Sequence, residues 1–110
     1  MPYSPELERR IDTAIRSWPK YDKKPFFGGI CYLCRGHISF GIYRDFLIVR
    51  VEDPDQANVF LDQNHVRPCD ITGRPMKSWV MVEPAAFHEE ETLIDWLEVG
   101  HSVIEKFPPK

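Results

Sequence analysis

The stretch KPFFGGICYLCRGHISFGIYRDFLIVRV, Lys24 to Val51, decides the fold. It reads as a three-stranded antiparallel meander, opened by Phe26-Phe27-Gly28-Gly29 and folded back at two tight turns, Arg35-Gly36 and Arg44-Asp45. A two-residue turn fixes which residues oppose one another, and side chains alternate between the faces of a strand, so the turns predict the faces. Around Arg44-Asp45, Ile42 is set against Leu47, Phe40 against Val49 and Ile38 against Val51. Around Arg35-Gly36, with Gly36 supplying a positive φ, Leu33 is set against Ile38, Cys31 against Phe40 and Gly29 against Ile42. This face is apolar throughout and is the expected core.

The opposite face then carries Ile30, Tyr32, Cys34, His37, Ser39, Gly41, Tyr43, Phe46, Ile48 and Arg50. A later strand that sends Val80 and Val82 to the core adds Trp79 and Met81 to it. So apolar a surface, if exposed, marks a partner or a groove. The expectation is a homodimer through the sheet face, or a protein partner bound there, with Ile30, Tyr32, Tyr43, Phe46, Ile48, Trp79 and Met81 as the interface. The competing reading is that a loop or helix of the same chain covers this face.

Working outward, Ser4-Pro5 is an N-cap followed by proline at the first helical position, and Leu7, Ile11, Ala14, Ile15 and Trp18 recur at helical spacing up to Pro19. Lys20 to Lys24 reads as a polar connector. Asp53-Pro54 opens a second, short helix that puts Ala57, Phe60 and Leu61 inward and ends near Asn64. A brief strand over Val66 to Asp70, the turn-rich Thr72-Gly73-Arg74-Pro75 and a strand over Ser78 to Glu83 follow. Glu89, Glu90 and Glu91 sit at the positive end of a last helix whose stripe is Leu93, Trp96, Leu97, Gly100, Ile104 and Phe107, with Gly100 letting it approach the sheet. The order is helix, three strands, helix, two strands, helix. It predicts one α+β domain over residues 1–110, with a single antiparallel sheet and the helices packed on one face.

Composition agrees with a small globular domain. The 110 residues are 43% apolar and 28% charged, and no apolar run approaches the roughly 20 residues of a membrane-spanning helix. The N-terminus carries no secretory pattern, and three cysteines, an odd number, fit a reducing compartment, so a cytoplasmic location is expected. A net charge of −3 argues against direct nucleic-acid binding, which needs a cationic surface.

Lys24-Pro25-Phe26-Phe27-Gly28-Gly29, the hairpin Ile30 to Tyr43, the strand Phe46 to Val51, Thr72-Gly73-Arg74-Pro75-Met76-Lys77-Ser78-Trp79-Val80 and the Leu93-xx-Trp96-Leu97 helix together resemble the TfoX N-terminal domain family. The resemblance spans roughly Tyr21 to Phe107. It implies a helix-flanked antiparallel sheet of the secretion-chaperone-like kind, and kinship with regulators of natural competence and with stand-alone single-domain proteins. It supplies no catalytic residues.

Three groups of residues bear on chemistry. Cys31 and Cys34 have Cys-x-x-Cys spacing, but on a strand positions i and i+3 point to opposite faces; the register places Cys31 in the core and Cys34 outside, so no metal or dithiol site is expected. His37 lies across from Cys34, an arrangement that in a small enzyme activates a thiol, yet no orienting acid or oxyanion donor accompanies it. Arg50, Arg67, Arg74 and Lys77 form a basic group suited to an anion or an acidic partner. The favoured reading is therefore a non-enzymatic interaction or regulatory module without a cofactor. The alternative is a small-ligand binder or enzyme using Cys34, His37 and the Arg67, Arg74, Lys77 cluster.

Overall fold

The computed structural model describes residues 3–70, 73 and 77–108. In chain order the elements are α1 (Pro5–Ala14), β1 (Asp22–Phe26), β2 (Gly29–Cys34), β3 (His37–Tyr43), β4 (Phe46–Arg50), α2 (Pro54–Leu61), β5 (Val66–Pro68), β6 (Trp79–Val82), a 3-10 turn (Pro84–Phe87) and α3 (Glu90–Glu105). The six strands form one antiparallel sheet in the order β1-β2-β3-β4-β6-β5. The two-layer α+β architecture is as expected, with one strand more in the meander.

That strand is β1, which lies in the expected polar connector. Its sequence, Asp22-Lys23-Lys24-Pro25-Phe26, is what an edge strand tolerates: charge and a proline where no further ladder bond is needed. Lys23 turns toward α1, its Nζ 2.9 Å from Glu8 Oε2 and 2.7 Å from Asp12 Oδ2. Partial burial works against its charge, but the two carboxylates outweigh that and hold its pKa above the usual value. The Phe27-Gly28 turn that joins β1 to β2 has φ of 46° and 85°.

The helices start where the sequence places them. Ser4 Oγ accepts from the Leu7 N–H at 3.1 Å and Asp53 Oδ1 accepts from the Gln56 N–H at 2.8 Å, each satisfying a donor the first helical turn leaves open. Helix α1 stops at Ala14, short of Trp18. All three helices pack against one side of the sheet, where Leu7, Ile11, Ala57, Leu93, Trp96 and Leu97 meet Phe40, Ile42, Leu47, Val49, Val80 and Val82. At Gly100 an added Cβ would lie 2.3 Å from the Ser39 carbonyl oxygen, so the absent side chain is what lets α3 lie this close.

The meander departs from the expected register at one residue. Around Arg35-Gly36 the pairs Cys34↔His37 and Leu33↔Ile38 are as predicted, and around Arg44-Asp45 so are Ile42↔Leu47 and Phe40↔Val49. Between them Tyr32 pairs with Phe40, Cys31 with Gly41 and Ile30 with Ile42, leaving Ser39 as an extra residue in β3. This β-bulge reverses the faces of the β2 residues beyond it. Ile30 and Tyr32, expected on the outer face, belong to the helix-side core. Cys34, expected outside, is as buried as Cys31, at 2% and 3% exposed.

Tyr32 is 1% exposed, and its hydroxyl donates to Asp12 Oδ1 at 3.0 Å. Burial, reinforced by Asp12, pushes its pKa far above the ordinary 10.0; burial likewise raises Tyr21 and the Cys31 thiol. Groups raised on folding contribute stability that is fully present below their unfolded values and lost as pH rises toward the folded ones. Urea titrations should therefore show stability falling once pH passes the ordinary cysteine and tyrosine values of 9.0 and 10.0. Tyr32→Phe should flatten that alkaline fall; an identical slope in the variant would contradict the assignment.

Candidate interaction face

Alternation along β4 and β6 sends Phe46, Ile48, Arg50, Trp79 and Met81 to the side away from the helices. There Ile48, Met81 and Cys69 form a second, smaller cluster, with Phe26, Tyr43, Phe46 and Trp79 packed around it. Ile48 is 0% and Met81 4% exposed. Three strands separate β1 from β6, yet the Phe26 and Trp79 rings stack with centroids 6.3 Å apart. The sheet therefore curls toward this face and closes over its own centre. Gly41 lies close against β2, where an added Cβ would be 2.6 Å from the Ile30 carbonyl oxygen.

What the face presents is its rim. Tyr43, Phe46 and Trp79 are half-buried, and Phe27, at the tip of the β1–β2 turn, is 57% exposed. Arginines lie over these rings: Arg44 is 5.3 Å from the Tyr43 centroid, Arg67 5.4 Å from Phe46, and Arg50 6.0 Å from Trp79. A guanidinium over an aromatic face gains from the ring quadrupole, about 0.5–1 kcal/mol at exposed sites and more when desolvated.

Arg50 is the most constrained of the three. Phe107, carried in by the chain after α3, lies 4.9 Å from its guanidinium, and Nη1 donates to the Ile38 carbonyl at 3.3 Å. Ile38 immediately precedes the bulge, so the same irregularity that turns Tyr32 inward offers Arg50 an acceptor. Burial lowers the Arg50 pKa, yet no carboxylate among the described residues lies within ion-pair reach of it. Arg67, by contrast, is paired with Glu83 at 2.9 Å. Lys77 is exposed and without an ion pair among the described residues, and Arg74 lies outside them.

The expected Cys34–His37 pair is adjacent in the ladder but differently engaged. His37 is 9% exposed; its Nε2–H donates to the Pro108 carbonyl at 2.7 Å and its ring packs 5.1 Å from Phe107. That proton is directed at a carbonyl, which leaves no base aimed at the Cys34 thiol through this nitrogen. Among the described residues no group of three or more His, Cys, Asp or Glu side chains is arranged to hold a metal ion.

A family model for the TfoX N-terminal domain matches residues 13–104. The chain belongs to the TfoX N-terminal domain family. No curated protein and no solved structure matches it. The match takes in all six strands of this TfoX N-terminal domain and its aromatic rim up to Trp79, and membership points to a regulatory, competence-related module. No helix among the described residues of the domain is long and apolar enough to cross a membrane.

Two features of the face escape sequence reasoning. The Phe26–Trp79 closure depends on β1, whose polar composition hides it, and the Arg50–Ile38 bond depends on the bulge. The available signal was a conflict: the bulge-free register puts Ile30 and Tyr32 on the same outer side as Ile48 and Met81, more apolar surface than a small domain leaves open.

Proposed function

We propose that this TfoX N-terminal domain is a non-enzymatic regulatory module that holds another polypeptide against the rim of its second sheet face. The observation that carries the reading is Phe27. Its φ of 46° lies in the left-handed region, where a bulky side chain is strained by about 1–3 kcal/mol and glycine or asparagine is the relaxed choice. More than half of its surface is exposed as well. Arg44, in the neighbouring β3–β4 turn, has φ of 58°, so two adjacent turns hold an aromatic and a cation in conformations that favour smaller residues. Aromatic and arginine side chains are the residues that anchor protein interfaces, and a strained, exposed pair of them supports docking at this end of the sheet.

A homodimer through the same face is the second reading, favoured by the half-buried rings Tyr43, Phe46 and Trp79. Arg44, Arg50 and Arg67 oppose it, because a twofold axis through the face sets them near their own copies. Light scattering at micromolar concentration separates the two: 12.9 kDa leaves the partner reading alone, and a doubled mass reinstates the dimer.

The direct test is photo-crosslinking in native cell extract, with p-benzoylphenylalanine in place of Phe27 and, as a control on the helix layer, in place of exposed Glu91. The expected result is a discrete adduct from position 27 that position 91 does not give. Equal labelling from both positions, or none from 27, contradicts the proposal.

A further inference from the structure

Resting on that reading, we propose that the groove between α2 and the β5–β6 end of the sheet takes an apolar side chain of an acidic polypeptide segment, whose carboxylates go to Lys77 and Arg50. The groove is lined by Pro54, Ala57, Asn58, Leu61, Pro68, Lys77 and Trp79 and has a volume of about 290 Å³. Small-molecule sites occupy about 300–1,000 Å³, so a space at the bottom of that range suits one or two side chains better than a cofactor. Apart from the Asn58 amide its walls are aliphatic and aromatic, and the charge comes from one side. Lys77 lines it directly, and Trp79, which forms one wall, carries Arg50 over its ring.

Charge selects the occupant. Neither Lys77 nor Arg50 has a carboxylate within ion-pair reach among the described residues, although Glu83 takes Arg67 and His65, and Glu52 takes Lys106. Arg50 is also preorganised: two rings and the Ile38 carbonyl hold it, so little side-chain freedom is lost when its remaining N–H groups meet a carboxylate. A polyphosphate chain is a poorer match, because it has nothing to place against the apolar walls of the groove. An apolar residue flanked by glutamate or aspartate satisfies both the walls and the cations.

Fluorescence anisotropy tests this with a fluorescein-labelled nine-residue peptide carrying Leu-Glu-Asp at its centre, against counterparts carrying Leu-Gln-Asn and Ser-Glu-Asp. The domain should bind the first saturably and each counterpart about tenfold more weakly, with binding falling as salt rises. Arg50→Gln and Lys77→Glu should each weaken the first peptide by about tenfold. Lys77 is exposed, so Lys77→Glu keeps the test valid if Arg50→Gln perturbs folding. Equal binding of the Leu-Gln-Asn peptide, unchanged binding in Lys77→Glu, or no binding up to millimolar peptide overturns the proposal. If the unsubstituted domain gives the adduct at position 27 while the Leu-Glu-Asp peptide fails to bind it, the groove assignment falls and the interaction reading stands. Absence of any adduct removes the interaction reading itself.

Discussion

Ile48→Glu is expected to unfold the domain, even though Ile48 faces away from every helix. Its side chain is 0% exposed, enclosed in the cluster with Met81 and Cys69 beneath Phe26, Tyr43, Phe46 and Trp79. A carboxylate placed there loses its hydration without gaining a partner, a penalty of several kcal/mol. The lost isoleucine packing adds to it, and both are set against a total stability of about 5–15 kcal/mol for a domain of this kind. Urea denaturation should show the cooperative transition abolished or moved by at least about 4 kcal/mol. A variant that keeps the wild-type midpoint would mean that the second face is an open surface. Phe27→Gly supplies the contrast: it relieves a positive φ at an exposed turn and should leave the midpoint unchanged or slightly raised.

Gly100→Ala is the second large effect, and here two terms oppose each other. Alanine in the middle of α3 gains about 1 kcal/mol of helix propensity over glycine. Its Cβ, however, would sit 2.3 Å from the Ser39 carbonyl oxygen and 3.0 Å from Ser39 Oγ. Backbone at 2.3 Å does not yield as a side-chain tip does, so α3 must lift from β3. Overpacking of that kind costs about 1–3 kcal/mol and is expected at the upper end or beyond. The net result is a loss of about 2 kcal/mol, with larger losses for Gly100→Val, read as a lowered urea midpoint. A gain in stability on Gly100→Ala would show that α3 does not approach Ser39 so closely.

The second prediction turns on Ser39, which also marks the limit of what the sequence discloses. The turns at Arg35-Gly36 and Arg44-Asp45 fix the pairs next to them through two-residue geometry, and the caps at Ser4 and Asp53 fix where helices begin, because these are local effects. A bulge is different. One unpaired residue changes no composition and leaves the apolar pattern of β2 readable in either register; what selects it is tertiary, with the Tyr32 hydroxyl reaching Asp12 on α1 and the Tyr21 hydroxyl reaching Ser39 Oγ at 3.3 Å. The same holds for β1, whose charges make sense only beside Glu8 and Asp12.

The candidate site follows the same division. Tyr43, Phe46, Trp79, Arg50, Arg67 and Lys77 were legible as an apolar and basic set, because alternation along β4 and β6 is regular. That Ile48 and Met81 are sealed, that Arg50, unlike Arg67, has no carboxylate in reach among the described residues, and that the reach of the face ends at Phe27 all depend on the curl of the sheet. Curl arises from packing between Phe26 and Trp79, residues 53 positions apart in sequence.

The central claim is that this domain works by holding an acidic, apolar polypeptide segment at the Trp79 side of its rim. The most direct measurement is a 15N-resolved NMR titration of the intact domain with the Leu-Glu-Asp peptide, following the Trp79 indole N–H, the Arg50 Nε–H and the amides of Ala57, Leu61 and Lys77. The account predicts that these signals move together and saturably while those of α1 and the outer surface of α3 stay in place. Shifts confined to α1 and α3, or a spectrum unchanged at millimolar peptide, would contradict it.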